Sequence, residues 1–141
     1  MKVSDILQKK GSAVIFATSS TSVLDALKLM SEKNIGALLV IDDGKLTGIF
    51  SERDYARKVV LKGKASADTA VKEIMTESPF TVQPEDSIET CMGIMSDKHI
   101  RHLPVVKEGT VAGMISIGDV VTTVIQSQKE TIDQLKNYIS Q

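Results

Sequence analysis

Gly48-Ile49-Phe50-Ser51-Glu52-Arg53-Asp54 and Gly113-Met114-Ile115-Ser116-Ile117-Gly118-Asp119 spell one pattern twice: glycine, two apolar residues, serine, two variable residues, aspartate. Each residue of the second copy stands 65 positions after its counterpart. The same register pairs Met30 with Met95, Ile35 with Ile100, Val40 with Val105 and Gly44 with Gly109, and it needs no gap from Val23 to Val124. The chain is therefore an internal duplication. A unit of about 65 residues buries little apolar surface by itself. The two halves are expected to pack as one pseudo-symmetric body.

Working outward, an apolar run precedes each heptapeptide and a helical pattern follows it. Residues 37–41 are continuously apolar, too short for a helix and rich in branched residues, so a central strand is expected. Asp42-Asp43-Gly44 signals a hairpin turn, with 46–50 as the returning strand. Ser19 to Ser22 supply cap candidates for a helix over 23–33, which Asn34 and Gly36 should end. A short helix over 4–10, stopped by Gly11-Ser12, and a short buried strand over 14–16 come before it. A helix over 52–61 closes the half. The second half replays this order: helix 71–75, strand 80–82, helix 88–98 capped by residues 84–87, strand 103–106, turn Glu108-Gly109, strand 111–115. The last helix runs on through Ile132, Leu135 and Ile139 at helical spacing. The division is repeat 1 at 1–61, a polar linker at 62–70, repeat 2 at 71–125 and a helical extension at 126–141. Each repeat should be an α+β unit, a three-stranded sheet with helices over one face.

Composition narrows the function. With 42% hydrophobic and 25% charged residues and a net charge of −1, the chain does not resemble a protein held to nucleic acid by phosphate contacts. Tryptophan is absent and aromatics are 4%, which leaves few stacking platforms for single strands. No apolar run reaches membrane-spanning length, and the N-terminus leads into an amphipathic helix rather than a signal sequence. A single cysteine, Cys91, excludes an internal disulfide. A cytoplasmic setting is expected. His99 and His102 lack acidic or cysteine companions at ligand spacing, so no metal site is expected. Cys91 aligns with Ala26 on a buried helix face and reads as packing. No catalytic arrangement of serine, histidine and acid stands out.

The heptapeptide has two chemical readings. Ser-x-x-Asp at a helix start is a capping box, and a duplicated fold duplicates its caps. The same groups also suit a ribonucleotide. A helix start offers unpaired N–H groups to a phosphate, and a carboxylate offers two acceptor oxygens to the adjacent hydroxyls of a ribose. Spacing alone leaves both open.

Arg101-His102-Leu103-Pro104-Val105 followed by Gly113 to Asp119 resembles the motif of a CBS domain. Gly36-Ala37-Leu38-Leu39-Val40 followed by Gly48 to Asp54 repeats it. The resemblance covers 3–125, and the tandem pair is similar to a Bateman module, as in stand-alone bacterial two-CBS proteins and plant organellar relatives. It implies a non-enzymatic sensor that needs no cofactor and binds AMP, ADP, ATP, S-adenosylmethionine or NAD between the repeats. Asp54 and Asp119 would each hold a ribose, with Ser51 and Ser116 beside it. Ile15, Ile35 and Gly36 would face the ligand on Asp119, and Phe80, Ile100 and Arg101 the one on Asp54. Arg101 and His102 align with a basic pair that meets phosphates in some members. Arg53, with Arg57 and Lys58, could suit a further phosphate or a dinucleotide. A homodimer and a regulated protein partner are also implied. The rivals are a dimerising module with empty clefts and an enzyme acting on nucleotides. The clefts cannot be equivalent, because Gly36-Ala37 stands opposite Arg101-His102 and Glu52-Arg53 opposite Ile117-Gly118.

Overall fold

The computed structural model describes residues 1–11 and 13–140. Its best-defined local features come in pairs. Helix α2 (Val23–Lys33) begins where the Ser22 hydroxyl accepts the Asp25 N–H at 3.1 Å and ends on Asn34 in the left-handed conformation, φ 53°. Helix α4 (Ile88–Lys98) begins on Ser87, which accepts the Thr90 N–H at 3.0 Å, and ends on His99 at φ 55°. Both helices span the residues that their periodicity predicts, because cap and stop are local chemistry. Strands β2 (Ala37–Asp42) and β3 (Lys45–Ser51) pair antiparallel, as do β5 (His102–Lys107) and β6 (Thr110–Ser116). Their two-residue turns, Asp43-Gly44 and Glu108-Gly109, have positive φ at both positions. That is the hairpin geometry matching the twist of the flanking strands.

The edges of the sheets differ from expectation. The first strand, β1 (Phe16–Ala17), begins two residues later than the expected 14–16 and runs parallel to β2. Ala17 is buried and Phe16 is 47% exposed. Ala17 sits beside Val40, and strand alternation turns its large neighbour Phe16 outward. In the second half the strand expected over 80–82 contracts to one rung, Val82 beside Val105. A strand that was not expected, β4 (Thr76–Glu77), pairs with Gly48 and Ile49 of β3. The sheets are thus β1-β2-β3-β4 and β5-β6, rather than two of three strands.

The reason is an exchange of leading segments. Val71 and Ile74 pack in the core of Ala17, Val23, Met30, Leu38, Val40, Phe50 and Val59. Val3 and Ile6 of α1 (Val3–Lys10) pack in the other core, with Val82, Ile88, Cys91, Met95, Leu103 and Ile115. Each half seals its partner's core. The chain start and the linker even perform the same task. Thr69 and Ser66 carbonyls accept from the Val23 and Leu24 N–H groups of α2, while the Met1 carbonyl accepts from Ile88 of α4. Orphan donors at both helix starts are satisfied this way.

Two helices also depart from expectation. The one expected over 71–75 is a single 3₁₀ turn, Val71–Glu73, since the chain then extends into β4. The one over 52–61 starts as α3 (Glu52–Tyr55) and widens into a π turn, Ala56–Val60. Helix α5 (Ile117–Ser140) is the long final helix, and its exposed apolar side chains include Ile132, Leu135 and Ile139. Gly11, φ 93°, ends α1, while Ser12 of the expected Gly11-Ser12 stop lies outside the described residues.

Candidate functional site

Ser51 ends β3 and starts α3, and its side chain meets Asp54 one turn on. The Asp54 N–H donates to the Ser51 hydroxyl at 3.1 Å, and the Asp54 Oδ2 accepts the Ser51 N–H and hydroxyl, each at 3.0 Å. Ser116 and Asp119 repeat the arrangement between β6 and α5, at 3.1 and 2.9 Å. Both pairs therefore close capping boxes, as the first chemical reading requires. Each carboxylate also holds a lysine: Lys58 lies 3.1 Å from Asp54 Oδ1, and Lys10 lies 2.8 Å from Asp119 Oδ2.

Asp54 opens onto a cavity of about 860 Å³, within the range of small-molecule sites. One wall is Ser51, Glu52, Arg53, Asp54, Arg57 and Lys58 from the first repeat. The facing wall is Lys98, His99, Ile100, Arg101 and His102 from the second, and Phe80 and Gly36 complete it. The Arg53 guanidinium crosses between the walls and donates to the His99 carbonyl at 2.9 Å. Lys98 Nζ sits 5.0 Å from the Phe80 ring centre. An anion-attracting rim, an acceptor carboxylate and an apolar face thus share one space.

Of the residues singled out from the sequence, Ser51, Arg53, Asp54, Phe80, Ile100, Arg101, His102 and Gly36 line this cavity. Ile35 and Gly36 line a smaller one of about 350 Å³, with Leu27, Met30, Asn34 and Glu52. Ile15, Ser116 and Asp119 line neither. Lys10 and Lys98 were not foreseen. Lys10 reaches Asp119 across 109 residues of sequence, so no local pattern could signal it. Arg53 holds a backbone carbonyl in addition to lining the cavity. His99 serves as the left-handed cap of α4. Cys91 is buried. Burial, with the charge of Asp86, raises its thiol pKa to about 11, so it stays protonated at neutral pH. Among the described residues no three His, Cys, Asp or Glu form a metal cluster, and no helix is long and apolar enough to cross a membrane.

His102 sits at the seam between the repeats, 3.7 Å from where a side chain on Gly36 would begin. Burial, then the charges of Lys10 and Arg101, hold its pKa below the ordinary 6.5, against the opposing pull of Asp119. The native chain thus binds fewer protons at this site than the unfolded chain. Stability is complete above the unfolded pKa and falls as pH drops through the folded one. Asp119 is lowered from 3.8, its burial outweighed by hydrogen bonds from Lys10 and Ser116. Asp42 is lowered too, chiefly by the Ser19 N–H. Their contributions are lost only near and below pH 4, so the interval from pH 6.5 downward to about 4.5 isolates the histidine. Urea midpoints should fall between pH 7.5 and 5, and His102→Gln should flatten that fall. An equal fall in the variant would remove His102 as its source.

A family model described as CBS domain matches residues 3–61 and 71–125. The mitochondrial CBS domain-containing protein CBSX3 of Arabidopsis thaliana is 40% identical over 146 residues, covering 97% of this chain and 71% of its own length. The structure of a CBS-domain protein from Burkholderia ambifaria superposes with a TM-score of 0.87 at 46% identity, covering 91% of this chain and 96% of that one. The CBS domain pair of protein MJ0100, solved in complex with 5′-methylthioadenosine and S-adenosyl-L-methionine, gives 0.79 at 28% identity over 91% and 98% of the two chains.

Proposed function

The chain belongs to the CBS-domain family as a tandem pair, and from that premise we propose that it is a regulatory protein that binds an adenosine-containing ligand between its repeats. The observation that carries this reading is the composition of the Asp54 cavity. A carboxylate and a hydroxyl lie on one wall, Arg53, Arg57, Lys58 and Arg101 surround them, and Phe80 and Ile100 offer apolar surface. Asp54 accepts the ribose hydroxyls, the cations meet phosphate, and the base lies against the apolar face. The cationic rim favours AMP, ADP, ATP or NAD over an uncharged nucleoside. Asp119 is the pseudo-equivalent acceptor in the second position.

The mechanism is a shift of population. Both repeats contribute walls, so a ligand that touches both favours one relative orientation and alters the surface offered to a partner. The apolar side chains exposed on α2, α4 and α5, Leu24, Met92, Val121 and Ile125, support a homodimer through helices. This reading keeps the division at 62–70, the helical extension at 126–141, a cytoplasmic setting and a non-catalytic role with no required cofactor.

A ligand that binds only the native state stabilises it by roughly 2.7 kcal/mol at a hundredfold excess over its Kd. Thermal unfolding with AMP, ATP and NAD should therefore shift upward by several degrees for at least one of them. A second reading has its own support, since both Ser–Asp pairs are already satisfied as caps. A midpoint indifferent to every adenine compound at millimolar concentration would favour that purely structural role.

A further inference from the structure

The two acidic positions receive their lysines from different places. At Asp54 the cation is Lys58, one turn along the same helical segment and itself a lining residue of the open cavity. Register puts Thr123 at the counterpart of Lys58, Thr122 at that of Arg57 and Gly118 at that of Arg53. The second position thus has none of the three cations of the first. Its carboxylate is neutralised instead by Lys10, at the end of α1. The ammonium donates to Asp119 Oδ2 at 2.8 Å and to the Met114 carbonyl of β6 at 2.9 Å. The same Oδ2 already accepts the Ser116 N–H at 2.9 Å. Helix α1 cannot easily leave, because Val3 and Ile6 are buried in the second core and Leu7 lies against Gly113 of β6.

We propose that Lys10 is an internal competitor for Asp119, which closes the second nucleoside position in the free chain so that the Asp54 cavity loads first. The inference rests on the adenosine-binding reading above. A vicinal diol needs both carboxylate oxygens for a paired grip, and in the free chain a lysine stands against one oxygen at each position, Asp119 Oδ2 and Asp54 Oδ1. Lys58 has a destination when a nucleotide enters, since phosphate can replace the carboxylate as its partner within the same cavity. Both ammonium groups also donate to a backbone carbonyl, Lys58 to Ile74 at 3.1 Å and Lys10 to Met114 at 2.9 Å, but only Lys58 lines a described cavity in which a phosphate could take over.

The two lysines should therefore respond to removal with opposite signs. AMP is titrated into the intact chain while the amide resonances of Ser51 and Asp54 report one position and those of Ser116 and Asp119 the other. In the native chain the first pair should saturate at lower concentration. Lys10→Ala should tighten the Ser116–Asp119 curve by about fivefold, the order expected from freeing a partly exposed ion pair, and leave the Ser51–Asp54 curve in place. Lys58→Ala should weaken the Ser51–Asp54 curve. Lys10→Arg, which keeps the charge, should behave as the native chain. Lys10→Met keeps the aliphatic stem and replaces the alanine variant if that one unfolds. A Ser116–Asp119 curve that stays put or weakens in Lys10→Ala overturns the competitor role while the Ser51–Asp54 response still upholds nucleotide binding. No response at either pair in the native chain removes the binding reading, and this inference with it.

Discussion

Asp54→Asn is expected to weaken AMP binding by roughly ten- to hundredfold with the fold intact. A hydrogen bond to a charged group is worth about 1.5–3 kcal/mol, and each 1.4 kcal/mol is about tenfold in affinity. Asparagine separates the two roles of this residue. Its amide oxygen still accepts the Ser51 N–H, as the Asp54 Oδ2 does at 3.0 Å, so the start of α3 stays capped. What disappears is the negative charge and one of the two acceptor oxygens that a ribose diol would use. The ion pair to Lys58 is also lost, but Lys58 is partly exposed and such pairs contribute about 1 kcal/mol at most. Binding should therefore fall far more than stability. Calorimetry with AMP and urea unfolding of the same variant measure the two separately. If Asp54 only caps a helix, AMP affinity stays where it was, and the cavity loses its assigned acceptor.

The features legible in the sequence are those decided within a few residues. Ser22 and Ser87 cap, Asn34 stops, and Asp43-Gly44 and Glu108-Gly109 turn, so α2, α4 and both hairpins lie where periodicity puts them. The duplicated heptapeptides likewise bring Ser51 to Asp54 and Ser116 to Asp119. Where a neighbour distant in sequence decides, the reading slips. The short strand at 14–16 moves to Phe16–Ala17, which pairs with Leu39 and Val40 of β2. Ile15 falls just before that strand and lines neither described cavity. The exchange of leading segments had no local signal either. Val71 and Ile74 look like the start of the second half and are buried in the first core. Lys10 belongs to the same class, a residue of α1 whose role depends on where α1 is carried.

That exchange makes Gly48 the position where one added carbon should do most damage. A Cβ there would lie 2.7 Å from Met75 Sδ and 2.8 Å from the Thr76 carbonyl oxygen. The thioether can swing aside, but the carbonyl belongs to β4, which is fixed by pairing of Gly48 with Glu77 and Ile49 with Thr76. Gly48→Ala must push β4 off the sheet edge, and overpacking of this kind costs about 1–3 kcal/mol. Gly113, its counterpart, carries a different penalty, because its φ of 157° is one that a side chain rarely adopts. A Cβ at Gly113 would meet only the side chain of Leu7, at 2.9 Å, so Gly113→Ala is opposed by its own backbone rather than by a fixed neighbour. Urea unfolding of Gly48→Ala should show a loss of that size, and an unchanged midpoint would mean that β4 yields to the added carbon. The damage should also reach the cavity, because the chain passes from β4 through Ser78 and Pro79 to Phe80, all lining residues. Gly48→Ala should therefore weaken AMP binding while every group that would touch the nucleotide is unchanged, since the displaced strand carries the apolar wall away from Asp54.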